Sequence, residues 1–245
     1  TSQDFAGYIA DLRIIDGTML YTSNFTPPTA PLTAITNTKL LTCTNKNDIW
    51  DASSGSLLTK AGNTTASNTQ RKFTESSAIY LDGSGDYITY SGSDFDVFPE
   101  DFTIEWWQYW ASNVSGYGTI YDNNYTTSPN LLIQTNDPGN VNQYKVFMAG
   151  FSTIFIESSA ASTGQWYHYA LVRNGSTITM YRNGTSTGSV TLSGSIGSSA
   201  GTKGIGAAGN GNYPISESYI QDFRITKGLA RYTSNFTPPT EEFTG

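Results

Sequence analysis

A stretch near the start of the chain returns near its end. Tyr8-Ile9-Ala10-Asp11-Leu12-Arg13-Ile14 reappears as Tyr219-Ile220-Gln221-Asp222-Phe223-Arg224-Ile225, and residues 21–29 return unchanged as residues 232–240. The offset is 211 residues throughout, and 15 of the 22 aligned positions are identical. Chance agreement at this composition would give roughly one or two. A segment this short cannot fold alone, because an isolated strand pair is marginal in water. The repeat therefore predicts a tandem array with this period. On that reading residues 1–32 are the closing strand and linker of a preceding repeat, and residues 33–245 are one complete domain ending in its own copy. The alternative is that residues 1–32 are donated as a strand to a neighbouring molecule. Pro27-Pro28 and Pro238-Pro239 would stiffen the linkers in an extended form.

Composition narrows the class. The chain has 245 residues with a formal net charge of −7, and charged residues make up only 13%. Its 13 basic residues are scattered, with only Arg71-Lys72 adjacent. Nucleic acid is excluded as a partner, since neutralising phosphates needs clustered Lys and Arg. A membrane surface is excluded on the same ground. Polarity comes from Ser, Thr, Asn and Gly, yet 13% aromatic residues supply the apolar surface that disordered chains lack. Tyr and Thr favour strands, and no window sustains a 3.6-residue apolar period. Cys43 is the single cysteine, so no internal disulfide forms. No apolar leader and no run of 18 apolar residues is present. Beginning at Thr1, the chain reads as a processed or excised piece of something longer.

The fold class that follows is all-β, a two-sheet antiparallel sandwich. Strand signals recur at short spacing over residues 39–43, 78–81, 87–90, 102–110, 118–122, 130–135, 145–148, 154–157, 166–173, 177–182 and 219–226. Asn174-Gly175 predicts a tight hairpin, because the dipeptide tolerates the positive φ of a type I′ turn. Asn183-Gly184 predicts a second turn, and the Gly- and Ser-rich residues 193–212 a long loop or a pair of loops.

Four segments in order resemble the laminin G-like, concanavalin A-like jelly roll. They are residues 78–88 (Ala78-Ile79-Tyr80-Leu81-Asp82-Gly83-Ser84-Gly85-Asp86-Tyr87-Ile88), Phe102-Thr103-Ile104-Glu105-Trp106-Trp107, residues 164–175 around Trp166-Tyr167-His168-Tyr169, and the closing strand from Tyr219 to Ile225. Asp222-Phe223-Arg224-Ile225-Thr226-Lys227-Gly228-Leu229-Ala230-Arg231-Tyr232, with the residues after it, closely resembles the laminin G-like repeats of tailed-phage tail and fibre proteins. That resemblance implies a virion-surface, extracellular protein used for structure or host attachment.

Catalysis has little to stand on. Hydrolases similar to this fold carry carboxylates on one strand in an alternating Glu-x-Asp-x-(x)-Glu pattern, which is absent here. Asp94-Phe95-Asp96-Val97-Phe98-Pro99-Glu100 comes nearest, but Pro99 would interrupt a ladder, so a turn is expected. The chain is therefore read as no enzyme. His168, the only histidine, alternates with Trp166, Ala170 and Val172 on one strand face and is expected to be buried or half-buried. Trp106 and Trp107 must point to opposite faces of one strand. Together with Trp50, Trp110 and Trp166 they are expected to be core or sheet-face packing. Tyr117, Tyr121, Tyr125 and Tyr213 lie near polar loops and are the candidates for an exposed sugar-stacking or partner surface. Asp222, Asp82 and Asp86 are candidate ligands for a structural Ca²⁺, which combines carboxylates with backbone carbonyls. The resemblance implies the same ion at Asp222, whose rival role is an ion pair with Arg224 on one strand face.

The sequence thus points to a non-catalytic, surface-displayed module contacting glycans or a host surface. The alternative is a purely structural protein that assembles into homo-oligomers through protein–protein and strand-donation contacts.

Overall fold

The computed structural model describes residues 11–33, 35–42, 58–92, 95–114, 116–124, 131–135, 142–148, 152–192 and 201–243. The chain divides into two units between Leu58 and Thr59. This lies later than the 32/33 boundary drawn from the repeat, because Leu12–Ile15 pairs with the segment beyond it. In the first unit β1 (Leu12–Ile15) runs antiparallel to β2 (Thr38–Thr42), with Arg13 opposite Leu41.

The second unit is a sandwich of two seven-stranded antiparallel sheets. Its strands are β3 (Thr59–Ala61), β4 (Thr65–Ser67), β5 (Ala78–Leu81), β6 (Tyr87–Tyr90), β7 (Phe102–Trp110), β8 (Thr119–Asp122), β9 (Leu131–Thr135) and β10 (Tyr144–Met148). The series continues with β11 (Ser152–Ile156), β12 (Trp166–Asn174), β13 (Thr177–Arg182), β14 (Thr185–Thr191), β15 (Lys203–Ile205) and β16 (Ser218–Lys227). Sheet I has the order β11-β10-β9-β8-β15-β6-β3, and sheet II the order β14-β13-β12-β7-β16-β5-β4.

Aromatic rings fill the space between the sheets. Trp106 of β7 stacks on Tyr169 at 5.4 Å and on Phe223 at 5.8 Å, and meets Tyr144 of sheet I edge-on at 5.9 Å. Three of the polar tips are paired within this core. Trp106 Nε1 donates to Gln108 Oε1, Trp110 Nε1 donates to the Tyr169 hydroxyl, and the Tyr144 hydroxyl donates to Gln108. Trp107 points the other way, as strand geometry demands. It is buried on the outer face of sheet II, with Lys72 Nζ 4.4 Å from its ring. Cys43 and Trp50 lie outside the described residues.

Three expectations need correction. The tight hairpin after β12 turns on Gly175-Ser176, with Asn174 paired to Thr177. The type I′ signature falls instead on Asn183-Gly184, whose φ values are 49° and 75°. Residues 203–205, in the stretch expected as a long loop or a pair of loops with no strand assigned, form β15 inside sheet I. A Cβ on Gly204 would lie 2.2 Å from the Ala207 carbonyl oxygen, so close packing excludes the side chains that would have marked a strand. Finally, residues 229–243 are no free linker. They fold back as a strap over the outer face of sheet II, where Tyr232 and Phe236 pack on Ala170, Val172 and Tyr181.

Candidate functional site

The two outer faces of the sandwich differ. On sheet II, β7 presents Thr103 and Glu105 outward, and both are buried beneath the strap. Thr103 Oγ1 donates to the Leu229 carbonyl and accepts from the Arg231 amide. Glu105 Oε1 accepts from Arg224 Nε and Nη2 at 2.9 and 2.8 Å, and Oε2 accepts from the Tyr232 hydroxyl at 2.9 Å. His168 Nε2 lies 3.3 Å from Glu105 Oε2, so the buried histidine expected from alternation sits in this network. Burial alone would raise the Glu105 carboxyl, but bonds from His168, Arg224 and Tyr232 outweigh it and hold the group below the usual carboxylate range. No substrate reaches a carboxylate sealed and shared in this way.

Sheet I carries a different surface. Thr119 of β8 lies opposite Gln134 of β9, which lies opposite Lys145 of β10. Tyr144 and Val146 of β10 are buried on the core side, so this row faces outward. Tyr117 and Tyr213 stand beside it, 41% and 37% exposed, with ring centroids 6.0 Å apart and planes 85° to each other. Lys145 Nζ lies 4.3 Å from the Tyr117 ring. Backbone geometry fixes the pair. Thr119 N donates to the Tyr213 carbonyl at 2.9 Å, Gly118 N donates to Thr135 Oγ1 at 2.6 Å, and Tyr213 holds a φ of 56°. Thr119 and Gln134 are buried, with Gln134 Nε2 donating to Thr119 Oγ1 at 3.4 Å, so the corner presents two exposed rings and the Lys145 ammonium group.

Of the four tyrosines singled out from sequence, the structure brings Tyr117 and Tyr213 together, and Tyr125 lies outside the described residues. Tyr121 is a correction. It is fully buried and stacks on Phe223 at 6.3 Å. A register shift between Thr119 and Tyr121 breaks the period of two, so Tyr121 pairs with Ile133 on the core side rather than following Thr119 outward. Sequence reasoning missed Lys145, which only the fold brings against the Tyr117 ring.

The three aspartates do not converge. Asp86 is buried and organises a loop, accepting from the amides of Asn63 at 2.7 Å and Asp82 at 3.1 Å. Asp82 accepts from the Ser84 amide at 2.7 Å. Ser218 pairs with Leu81, which puts Asp222 roughly 15 Å along the sheet from Asp82 at strand rise. Asp222 instead accepts from the Phe243 amide at 3.0 Å. A bulge between Gln221 and Arg224, with Asp222 at φ 52°, also breaks the alternation on which the rival Asp222–Arg224 ion pair rested, and Arg224 turns to Glu105. Among the described residues no group of three acidic, His or Cys side chains is placed to hold a metal. Asp96, from the acidic run read as a turn, pairs with buried Lys203 at 3.0 Å. No described helix is long and apolar enough to cross a membrane.

Comparison with known proteins fits this architecture. The receptor binding domain of botulinum neurotoxin D superposes with a TM-score of 0.56 at 16% identity, covering 76% of this chain and 48% of that one. The binding domain of Paraclostridial Mosquitocidal Protein 1 gives 0.56 at 19% identity, covering 77% and 48%. Domain 4 of AbnA, an extracellular GH43 arabinanase from Geobacillus stearothermophilus in complex with arabinotriose, gives 0.53 at 16% identity, covering 71% and 83%. The chain thus spans about half the length of the toxin domains it matches. No curated protein sequence matches it. The family model described as the Concanavalin A-like lectin/glucanases superfamily (Laminin_G_3) matches residues 82–229, more than half of the chain. The chain belongs to the concanavalin A-like lectin/glucanase superfamily.

Proposed function

We propose that this chain is a non-catalytic binding module, displayed extracellularly, that contacts glycans through the Tyr117–Tyr213 corner of sheet I. The observation that carries this reading is the exposed aromatic pair held by backbone hydrogen bonds beside Lys145. Pyranose C–H faces pack on aromatic rings as other apolar groups do, while neighbouring polar groups orient the hydroxyls. Two structural neighbours carry binding roles in their names, one a receptor binding domain and the other a domain complexed with arabinotriose. The likeness of residues 222–240 to tail and fibre repeats supports a virion surface as the setting. A glycan array with the 245-residue chain tests the proposal. Retention of an oligosaccharide, lost when Tyr117→Ala and Tyr213→Ala are combined, is the expected result. A silent array together with ordered oligomers on sizing favours the second reading, a structural protein, which the duplicated strap segment motivates.

A further inference from the structure

The two copies of the repeat share a local conformation. Asp11 and Asp222 have φ values of 55° and 52°, and Gly17 and Gly228 have 74° and 78°. Asp11 Oδ1 accepts from the Leu32 amide at 3.3 Å, and Asp222 Oδ2 accepts from the Phe243 amide at 3.0 Å, each bond spanning 21 residues. The rings of Tyr21 and Phe25 stack at 3.7 Å and 11°, those of Tyr232 and Phe236 at 3.6 Å and 7°. A left-handed Asp is uncommon enough that its recurrence marks the same strand-and-strap device.

Among the described residues, the second copy covers a sandwich face. Phe223 lies against Trp106 and Tyr121. Phe236 meets Tyr181 at 5.4 Å and His168 at 5.7 Å, its amide donates to the Gly184 carbonyl, and Asn235 Oδ1 accepts from the Ser186 amide. In the first copy the equivalent side chains face solvent, with Leu12, Ile14, Tyr21 and Phe25 exposed by 41, 50, 44 and 53%. Tyr21, Asn24 and Phe25 are identical to Tyr232, Asn235 and Phe236, while Leu12 stands where the second copy has Phe223, so the strap groups that meet Tyr181, His168 and Ser186 are kept. The free strand edge is also the right one. Asp16 N donates to Asn37 O on the β2 side of β1, whereas Gly228 N, one repeat position later, donates to Asp101 O on the β7 side of β16. Successive amides of an extended chain point to opposite edges. β2 therefore leaves open the edge that β7 occupies in the second copy.

We propose that residues 11–29 dock on a second sandwich of this same sequence type, one that precedes them in the polypeptide, and fill there the place residues 222–240 fill here. The occupant needs an outward Glu–His pair under the Tyr–Phe stack and a glycine at the position of Gly184, where a Cβ would lie 1.7 Å from the Phe236 carbonyl oxygen. β2 then extends the sheet of that preceding sandwich, so successive repeats interlock by a strand. This inference is independent of the glycan reading and stands or falls separately.

The test fuses a copy of residues 34–218 ahead of residue 8, so that the natural segment follows a sandwich as residue 219 follows residue 218. In the 245-residue chain, chymotrypsin is expected to cut after Tyr21 and Phe25 about tenfold or more faster than after Tyr232 and Phe236. In the extended chain those two cuts slow by about the same factor. Gly184→Val placed in the added sandwich restores fast cutting at Tyr21 and Phe25 alone. Independently, Phe25→Ala lowers the denaturation midpoint of the extended chain and leaves that of the 245-residue chain unchanged. Unslowed cutting at Tyr21 and Phe25, with near-ultraviolet circular dichroism showing both sandwiches folded, overturns the proposal. So does protection of Tyr21 and Phe25 that grows with concentration in the 245-residue chain, since the occupant is then a second molecule.

Discussion

The outer face of sheet II and the outer face of sheet I use similar materials for opposite ends. Both present aromatic rings beside charged or amide side chains. On sheet II the rings come from the strap and close over Glu105, so that nearly every residue of β7 is buried on one face or the other. On sheet I the Tyr117–Tyr213 corner stays exposed, with Lys145 laid against the Tyr117 ring. The difference is one of connectivity. The strap continues directly from β16, so the face nearest the chain's end is sealed by its own polypeptide, while the opposite sheet keeps a surface for something else. The sealed face contributes stability; the open face is where we place the proposed binding.

The largest effect is expected from the sealed side. Glu105→Ala leaves Arg224, His168 and Tyr232 without their acceptor in a buried setting, and should destabilise the fold by about 3–5 kcal/mol in urea denaturation. A loss below about 1 kcal/mol would mean that the strap does not seal the face. Because the folded Glu105 holds its charge below the usual range, its contribution is present above the unfolded carboxylate value near 4.5. It is lost as pH falls through the lower folded value. The wild-type chain should therefore lose more stability than Glu105→Gln on acidification from neutrality.

A smaller effect, of opposite sign, is expected from Glu157. It is buried just after β11, accepts from the Tyr144 amide, and has Arg182 only at 3.7 Å. Burial dominates and pushes its carboxyl up to about 7. The folded state keeps a proton that the unfolded state releases near pH 4.5, so this group's stabilisation is full below that value and is lost as pH rises through about 7. Glu157→Gln should raise stability at pH 8, on the order of 1–2 kcal/mol, where Glu105→Gln lowers it. Equal signs for the two variants would break the contrast between a paired and an under-paired buried glutamate.

The smallest stability effect belongs to the open face. Tyr117→Ala and Tyr213→Ala should each stay within about 0.5 kcal/mol of wild type, because the rings are exposed and the local backbone is held by main-chain bonds. A clear loss of stability would make the corner a packing feature.

How much of this was legible varies by element. β7 and β12 announce themselves through Phe102–Trp110 and the run beginning at Trp166, where β-branched and aromatic residues leave little choice but a strand. The repeat announced that residues 219–226 close a sheet. β15 did not, because the close approach of Ala207 to Gly204 demands a residue with no side chain to read. The strap was hidden as well, since Thr-Ser-Asn-Phe-Thr-Pro-Pro-Thr carries no burial signal of its own. A trace of it lay elsewhere. Trp107, and Ala170 and Val172 alternating with His168, make an outward face too apolar to be left wet. At the site, the loop positions of Tyr117 and Tyr213 were readable, but the bulge that turns Tyr121 inward was not, because a register shift leaves no mark on residue type. The separation of Asp82 from Asp222 was unreadable for a related reason, as it depends on strand register.

The most direct measurement is a hydrogen-exchange footprint of the chain with the tightest oligosaccharide the array identifies. Slowed exchange at residues 116–119 and 212–215, with residues 229–243 unchanged, is the predicted result. Slowed exchange confined to residues 229–243, with the Tyr117–Tyr213 corner untouched, would contradict it.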